Sequence, residues 1–346
     1  MTVFRSDGRR RAATIIDVAR HANVSVGTVS RYLNGIIIRQ TKREAIDKAI
    51  AALHYNRNAA AKAMRTERTN MVALLVPDYD EFFAEVLASL TRNLADEGQV
   101  LLTHKHEGDP KTLAMAMEFF QNHRVNAVVT PGVSEVRTQV EALVEHGIPV
   151  VFFNNDVPYL KVDRVFARNR DISRRAVRHL IDLGHRRIGH ISGGMRETTA
   201  QDRQAGYSDA LRDADIPLNP NYIAGASWKR QDAYSAIERL MQLDEPPTAI
   251  FTATYVLALA VIDYFREHDI ALGKDVSLLS FDDVEIFRQM SPGVTAIAQP
   301  TTAIGQAISE IVLGHINGIQ RIAPRTVTID CSIILRQSTR PPRGNG

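Results

Sequence analysis

The chain has 346 residues, enough for two or three compact units, and 45% of them are apolar. It contains no apolar run of transmembrane length and a single cysteine, Cys331, so the sequence excludes a membrane-spanning helix and an internal disulfide. Its basic first residues are followed by no apolar segment, which predicts a cytoplasmic protein without a secretory signal.

Charge is distributed unevenly along the chain. Residues 1–70 contain 14 Lys and Arg against 5 Asp and Glu, a net charge of +9, whereas the remainder contains 28 against 34, a net charge of −6. A basic N-terminal region on an acidic body indicates that only the N-terminal region binds a polyanion. We expect residues 1–13 to form a disordered basic arm.

Two short helices are predicted after this arm. Thr14 can cap the first helix, with the Asp17 carboxylate in the first turn, and apolar residues at helical spacing give that helix one inner face. The polar segment 21–23 ends the helix, and Asn23 tolerates the left-handed backbone often found at such an end. Ser25 caps the second helix, which is predicted over residues 26–34.

The second helix has a distinctive outer face. Val29 and Leu33 form its inner face, and the residues left outside are Val26, Gly27, Thr28, Ser30 and Arg31. Two short helices joined by a tight turn, with small polar groups and an arginine on the second, are typical of a helix-turn-helix that binds DNA. An ordinary helical hairpin in a small bundle is the alternative at this point.

A third helix is predicted over residues 41–53. Ile46, Ile50 and Leu53 recur at helical spacing and can complete a three-helix core. Three consecutive isoleucines, residues 36–38, precede this helix. Three exposed isoleucines would be unusual, so we expect at least one of them to pack inward.

Residues 55–70 are rich in alanine and favour a short helix from about residue 59 to residue 65, with Asn58 as its cap. A helix this short is marginal in isolation, so we expect it to fold only when DNA and a second subunit hold it. An alanine-rich spacer is the alternative.

From residue 71 onward, predicted strands alternate with predicted helices. The strands are 71–76, 100–103, 125–130, 149–153, 187–192, 222–224, 249–252 and 276–281. The helices are 82–97, 111–122, 134–146, 172–183, 199–214, 231–242, 256–268 and 301–316. This alternation predicts two lobes with parallel sheets, helices on both faces, and a ligand cleft at the carboxyl ends of the strands.

Several polar and aromatic side chains that follow these strands or flank the cleft are candidate ligand contacts. They are Asp80, Phe82, Asn154, Arg168, Ser192, Arg203, Thr254, Tyr255 and Asp282. The histidine groups 104/106 and 179/185/190 lack the spacing of a metal site, and no nucleotide-binding or catalytic motif is present. We therefore predict no metal, no cofactor and no enzymatic activity.

Eight motifs occur in one order along nearly the whole chain. They are DVARHANVSVGTVSRYLNG (17–35), TNMVALLVPD (69–78), VRHLIDLGHRRIGHISG (177–193), DRQAGYSDAL (202–211), PPTAIFTA (246–253), DVSLLSFDD (275–283), AQP (298–300) and RQST (336–339). Together they resemble the LacI/GalR family of transcription regulators. The resemblance implies an all-α helix-turn-helix headpiece, a hinge helix and an α/β two-lobed core like a periplasmic binding protein.

The resemblance also implies domain boundaries. The headpiece would cover residues 14–56, and the hinge helix with its linker residues 57–70. The N-terminal lobe would comprise residues 71–162 and 293–323, and the C-terminal lobe residues 163–292 and 324–340. The loop before the third helix is about one residue shorter than is usual in the family, which leaves its phosphate contacts open.

On this resemblance, DNA contacts come from the headpiece and the hinge. In the headpiece they are Thr14, Ser25, Val26, Gly27, Thr28, Ser30, Arg31 and Asn34, with Arg31 the best candidate to bind a guanine. In the hinge they are Asn58, Ala61 and Met64. Met64 occupies the position of a leucine that wedges into the central base step, and methionine can act as such a wedge.

The resemblance assigns Arg203, Asp282 and Phe82 to positions that often contact effector. Three other positions depart from the family: Asn154 and Arg168 replace acids, and Thr254-Tyr255 replaces Asn-Asp. A fork of Arg168 with Arg203 would suit an anionic effector such as a sugar phosphate or sugar acid. In the alternative, Arg168 pairs with Asp80, Glu81 or Asp163 and touches no ligand.

The predicted function is that of a sequence-specific, effector-controlled transcription regulator, with repression as the favoured role. It would bind a pseudo-palindromic double-stranded operator as a homodimer, without membrane attachment. A solute-binding protein for sugar transport and a regulator responsive to a neutral sugar are the alternatives.

Overall fold

The computed structural model describes residues 13–33, 35–55, 69–225, 227–319 and 323–343. The predicted arm, apart from residue 13, lies outside these residues, as do Asn34 and the hinge contacts Asn58, Ala61 and Met64. The chain divides into two compact units, residues 1–69 and 70–346. No helix among the described ranges is both long and apolar enough to cross a membrane.

The first unit is a three-helix headpiece. Its helices are α1 (Ile15–His21), α2 (Val26–Leu33) and α3 (Gln40–Leu53). Val18, Val29 and Ile46 are fully buried and form the centre of the core. Ile38 packs against this core whereas the two isoleucines before it are exposed, which confirms that at least one of the three packs inward.

The predicted turn between the first two helices is confirmed in detail. Thr14 and Asp17 form a capping box at the start of α1, with the Thr14 backbone N–H donating to Asp17 Oδ2 over 2.8 Å. Asn23 adopts the left-handed conformation, with φ of 51°. Ser25 Oγ accepts from the Thr28 N–H over 3.2 Å at the start of α2.

The second unit contains two six-stranded sheets. The strands are β1 (Met71–Val76), β2 (Val100–Lys105), β3 (Ala127–Pro131), β4 (Val150–Phe153), β5 (Asp163–Ala167), β6 (Ile188–Ser192), β7 (Ile223–Gly225), β8 (Ala249–Thr252), β9 (Ser277–Phe281), β10 (Thr295–Ala298), β11 (Thr326–Ile329) and β12 (Ser332–Ile334). The first sheet has the order β11-β5-β4-β3-β1-β2, and the second has the order β12-β10-β9-β8-β6-β7. The named strands pair in parallel except for β10 with β12.

Helices cover both faces of each sheet, as the alternation predicted. They are α4 (Glu81–Asp96), α5 (Pro110–Asn122), α6 (Arg137–Glu145), α7 (Asn169–Asp182), α8 (Thr198–Arg212), α9 (Arg230–Met241), α10 (Tyr255–Glu267), α11 (Glu285–Gln289) and α12 (Thr301–Ile316). Helices α4 and α12 pack on one face of the first sheet and α5 and α6 on the other. Helices α9 and α10 pack on one face of the second sheet and α7 and α8 on the other. We call these two assemblies the first lobe and the second lobe.

The strands differ from the predicted lobe boundaries at three places. β5 and β11 belong to the first sheet, and β10 belongs to the second sheet. The chain therefore crosses between lobes after residue 167, after residue 298 and between residues 329 and 332. The physical reason for the first difference is the Asp163 carboxylate, which accepts from the Arg325 N–H at 2.7 Å and lies 2.6 Å from His315 Nε2, and so ties β5 to α12 and to the start of β11.

Two glycines on α12 allow a matched test of this packing. A Cβ at Gly305 would lie 2.5 Å from the Ser89 side chain on α4, whereas the nearest atom to one at Gly314 is 3.9 Å away. Gly305→Ala should lower the free energy of unfolding by about 1–3 kcal/mol through overpacking. Gly314→Ala should leave it unchanged or raise it by up to about 1 kcal/mol through helix propensity. Urea denaturation measures both, and equal effects of the two changes would contradict this account of the α4–α12 contact.

Candidate functional site

The exposed surface of α2 is the candidate DNA-binding surface. Val26, Gly27 and Arg31 are exposed, and Ser30 is half-buried. Arg31 Nε lies 3.4 Å from the Gly27 carbonyl, so the guanidinium folds back along the helix, and the side chain is exposed. This surface presents one cationic side chain and otherwise only small or apolar side chains, as the sequence predicted.

The placement of Thr28 on the outer face was wrong. Its side chain is only 6% exposed, and its hydroxyl lies 2.9 Å from that of Ser25. The two hydroxyl groups hydrogen-bond to each other, and Ser25 also caps the helix. The Thr28 side chain therefore lies against the headpiece instead of facing outward. Thr14 is likewise engaged, since its hydroxyl donates to Asp17 Oδ2 over 2.7 Å.

The candidate effector residues lie at or just after strand ends of both sheets, or on α8 in the case of Arg203. Asp80 and Phe82 follow β1, Asn154 follows β4, and Arg168 follows β5. In the second sheet, Ser192 ends β6, Thr254 and Tyr255 follow β8, and Asp282 follows β9. The carboxyl ends of parallel strands meet at one edge of a sheet, where open α/β folds bind their ligands.

Arg203 is the most constrained of these side chains. It is 3% exposed, its Nε donates to Asn169 Oδ1 over 3.0 Å, and its Nη1 donates to the Ala253 carbonyl over 2.5 Å. The guanidinium carbon lies 3.5 Å from the centre of the Phe281 ring. Burial lowers the pKa of Arg203, and the neighbouring Asp282 opposes that shift.

Asp282 supplies the complementary charge. It is 9% exposed, has φ of 69° and accepts from Gln299 Nε2 over 2.7 Å. Burial raises the pKa of its carboxyl, while Arg203 lowers it. The left-handed backbone turns the chain sharply at the end of β9, and an aspartate tolerates that conformation better than most residues.

Asp80 faces this pair from the first lobe. Its side chain caps α4 by accepting from the Phe83 N–H over 2.9 Å. Burial, with a further contribution from the nearby Asp282, raises the pKa of Asp80 to about 6. A carboxylate of the first lobe therefore lies near Asp282, the carboxylate that acts on the buried Arg203.

Arg168 stands apart from this arrangement. Its guanidinium Nε lies 2.8 Å from Asp330, and its side chain is 54% exposed. The alternative partners named from the sequence, Asp80, Glu81 and Asp163, are not its ion-pair partners among the described residues. Arg168 and Arg203 thus share no partner in this structure.

Three of the remaining candidates have local structural roles. Thr254 Oγ1 caps α10 by accepting from the Leu257 N–H over 3.4 Å. Phe82 is buried and meets Phe83 edge to face. Asn154 has φ of 63°, which fits the sharp turn after β4.

Two further candidates lie at strand ends of the second sheet, where Tyr255 is half-buried and Ser192 is buried. Burial raises the pKa of Tyr255 to about 12, with a further contribution from Asp80 in the other lobe. The Ser192 hydroxyl is buried and has no hydrogen-bond partner among the residues that the structure describes.

A cross-lobe contact lies beside these residues and was largely missed from the sequence. Asn155, 2% exposed at the end of β4, donates to Glu197 Oε2 over 2.5 Å and accepts from the Thr199 N–H over 3.0 Å. The other Glu197 oxygen accepts from the Trp228 indole N–H over 2.5 Å. Of these residues, only Asn155 could be suspected from the sequence, because it follows a predicted strand. We call Asn155, Glu197 and Trp228 the clasp.

A glycine makes the clasp possible. A Cβ at Gly193 would lie 2.0 Å from the Trp228 ring, so the indole packs directly on the backbone there. Burial raises the pKa of Glu197, while its two hydrogen bonds lower it. A second contact between the lobes joins the Glu285 N–H to Glu81 Oε1 over 3.0 Å.

Comparison with known protein families gives one match in the headpiece and one in the two-lobed unit. Residues 14–58 match the bacterial regulatory proteins of the lacI family, and residues 177–339 match the periplasmic binding protein-like domain. The ribose operon repressor of Haemophilus influenzae is 29% identical over 329 residues, which cover 94% of this chain and 98% of that protein.

Solved structures share the fold over nearly the whole chain. The transcriptional regulator CelR in complex with cellobiose has a TM-score of 0.73 at 25% identity, covering 94% of this chain and 99% of its own. The Lac repressor dimer bound to operator and the anti-inducer ONPF has a TM-score of 0.84 at 20% identity, covering 95% of this chain and 100% of its own.

A helix-turn-helix unit joined to a two-lobed α/β ligand-binding core defines a ligand-responsive DNA-binding regulator. The chain belongs to the LacI family and is a DNA-binding transcriptional repressor with a ligand-binding core. Repressors of this family bind operator DNA as dimers together with small-molecule effectors. The predicted family and fold class are therefore confirmed, and the solute-binding alternative does not account for the match over residues 14–58.

The pKa of Asp80 gives a test at the cleft. Because this pKa is about 6, above the ordinary value near 4, the ionised carboxylate costs the folded state free energy that protonation relieves. The contribution of Asp80 to stability therefore falls as pH rises from about 4 to about 6. Asn caps a helix as well as Asp, so Asp80→Asn should raise the free energy of unfolding by about 1–3 kcal/mol at pH 8 and change it little below pH 4.

A second helix cap provides the control for this test. Asp109 caps α5, and hydrogen bonds from Thr112 lower its pKa. Asp109→Asn should therefore lower the melting temperature at pH 8, opposite in sign to Asp80→Asn. Thermal melts at pH 4 and pH 8 measure both variants, and a loss of stability in Asp80→Asn at pH 8 would contradict the assignment of a costly buried charge.

Proposed function

We propose that this repressor binds a pseudo-palindromic operator as a homodimer and is controlled by a small polar effector held between its two lobes, around Arg203. The observation that carries the proposal is the buried Arg203–Asp282 pair at the strand ends of the second lobe, faced by Asp80 of the first. A regulator of this kind acts in the cytoplasm, where it meets the DNA.

The charges near Arg203 support a neutral, hydroxyl-rich effector. Asp282, Glu197 and Asp202 place three carboxyl groups near the Arg203 guanidinium, and Asp80 lies near Asp282. Carboxylates accept hydrogen bonds from hydroxyl groups, Arg203 and the Ser192 hydroxyl can donate to ring or hydroxyl oxygens, and an added anion would meet net repulsion. The CelR structure, whose ligand is cellobiose, is consistent with such an effector.

The anionic effector expected from the sequence requires a rearrangement. Arg168 would have to leave Asp330 before it could join Arg203 as a fork for phosphate or carboxylate. The Arg168–Asp330 pair is exposed, and exposed pairs contribute only about 0–1 kcal/mol, so the rearrangement itself is energetically small. Sugar phosphates and sugar acids therefore remain the second candidate class.

For operator recognition, we propose that α2 lies in the major groove. Val26, Gly27 and Arg31 face base edges, while Ser25, Ser30 and Thr14 lie near the phosphates. Thr28 contributes through its contact with Ser25. Asn34 and the hinge contacts Asn58, Ala61 and Met64 complete the proposed interface, with a Met64 from each subunit at the centre of the site.

Arg31 gives a direct test of base recognition. Arg31→Ala should weaken binding to the operator by about 1–3 kcal/mol and relax specificity at one base pair, because a guanidinium bound to guanine discriminates among bases. The test selects operators from a randomised duplex pool and then measures, by titration, the affinity for variants changed at each base pair in turn. Arg43→Ala removes an exposed cation from α3; it is the matched control and should weaken binding to all sequences alike. An equal loss on all sequences with Arg31→Ala would contradict its proposed role.

A thermal-shift screen tests the effector class. A ligand that binds only the folded state raises the melting temperature by mass action. We expect shifts of several degrees with neutral sugars, abolished by Arg203→Gln and preserved by Arg168→Ala. Arg174→Ala is the control, because Arg174 forms a similar exposed pair with Asp213. Shifts confined to sugar phosphates or sugar acids, and abolished by Arg168→Ala, would contradict a neutral effector. They would indicate that Arg168 and Arg203 bind an anionic group together.

A further inference from the structure

Two isoleucines on the headpiece are exposed next to its proposed base-reading helix. Ile37 is 97% exposed and Ile36 is 52% exposed. Single exposed apolar residues are common on protein surfaces, but two adjacent ones on a small basic unit form a continuous apolar tip. We call residues 36 and 37 the isoleucine tip.

Backbone hydrogen bonds fix the isoleucine tip beside Arg31. The Gly35 N–H donates to the Tyr32 carbonyl, and the Ile36 N–H donates to the Arg31 carbonyl, each over 3.0 Å. With Gly35 at φ of 76°, these are the two bonds of a Schellman motif at the end of α2. The motif holds the isoleucine tip at the same helix end as the Arg31 side chain.

The same motif explains why Ile36 is exposed. In a Schellman motif the residue after the glycine commonly packs on an apolar residue at the position that Arg31 occupies here. Since that position holds a guanidinium, Ile36 lacks its usual apolar partner, whereas Ile38 packs against the headpiece core. The isoleucine tip therefore has no local apolar cover among the described headpiece residues.

The charges around the isoleucine tip indicate what covers it. From residue 31 to residue 43 the sequence has four cations and no acid, and Arg31, Arg39, Lys42 and Arg43 are all exposed. Helix α3 also begins at this loop without a side-chain cap, so the positive end of its dipole adds to the field. An apolar tip framed by cations is complementary to a groove with phosphates at its rims and methyl groups on its floor.

We propose that the isoleucine tip contacts thymine methyl groups in the major groove, next to the base pair that Arg31 reads. The thymine 5-methyl is the apolar group that the major groove presents, and it distinguishes thymine from cytosine and from uracil. Ile36 and Ile37 are thus further specificity-determining residues of the operator interface. The inference rests on the proposed placement of α2 in the major groove.

Replacing thymine by uracil in the operator removes only the methyl group. With the full-length protein and the operator recovered from a randomised pool, uracil at one or two positions beside the Arg31 base pair should weaken wild-type binding about 3–10-fold per methyl, the size of one buried apolar carbon. Ile37→Ser should weaken binding to the thymine operator by a similar factor and lose the response to uracil at the position that Ile37 contacts. Ile37→Val, which keeps the branched methyl groups, should retain the thymine preference.

The outcomes separate this inference from the function on which it rests. If uracil has no effect on wild-type binding, or if Ile37→Ser weakens thymine and uracil operators equally, the methyl contact is overturned while operator binding stands. Failure of the wild type to select any sequence would overturn operator binding itself, and the methyl contact with it. Thermal melts of the two Ile37 variants should match the wild type, since this side chain is 97% exposed.

Discussion

The core of this protein is organised around one buried positive charge. Arg203 is almost fully removed from water, and an isolated ion in that position would cost several kcal/mol. The Asn169 amide, the Ala253 carbonyl, the Phe281 ring and the Asp282 carboxylate compensate for that cost. Each of these groups stands at or near the end of a strand, either β5 of the first sheet or β8 and β9 of the second, so satisfying the charge brings loops from both sheets to one point. The proposed effector site is that point.

The clasp extends this constraint to the other lobe. Glu197 accepts from Asn155 of the first lobe and from Trp228 of the second, so one carboxylate connects two elements that would separate if the lobes opened. An effector lying between Asp80 and Asp282 would change the relative stability of two conformations of the core. In one the hydrogen bonds of the clasp are formed, and in the other they are broken. A ligand acts on DNA affinity only through such a difference in affinity between two states. Trp228, the single tryptophan, gives this region an intrinsic fluorescent probe.

Local features of the sequence predicted local structure well. The Thr14–Asp17 capping box, the left-handed Asn23 and the ends of most helices followed from neighbouring residues. Features that depend on distant partners did not. The strand at residues 163–167 went unrecognised because its place depends on residues 315 and 325, and Arg168 pairs with Asp330, 162 residues away. Thr28 was misplaced because helical spacing alone does not reveal the hydroxyl pair that it forms with Ser25.

We propose that ligand binding in the core and operator binding by the headpiece are coupled in one molecule. Coupling between two sites is reciprocal, so it can be measured from either side. The most direct measurement titrates the stabilising effector, followed by Trp228 fluorescence, with and without saturating operator, and titrates operator with and without saturating effector. If the two sites are coupled, both affinities should change by the same factor, on the order of 5–150-fold. An effector affinity that is the same with and without operator would contradict it.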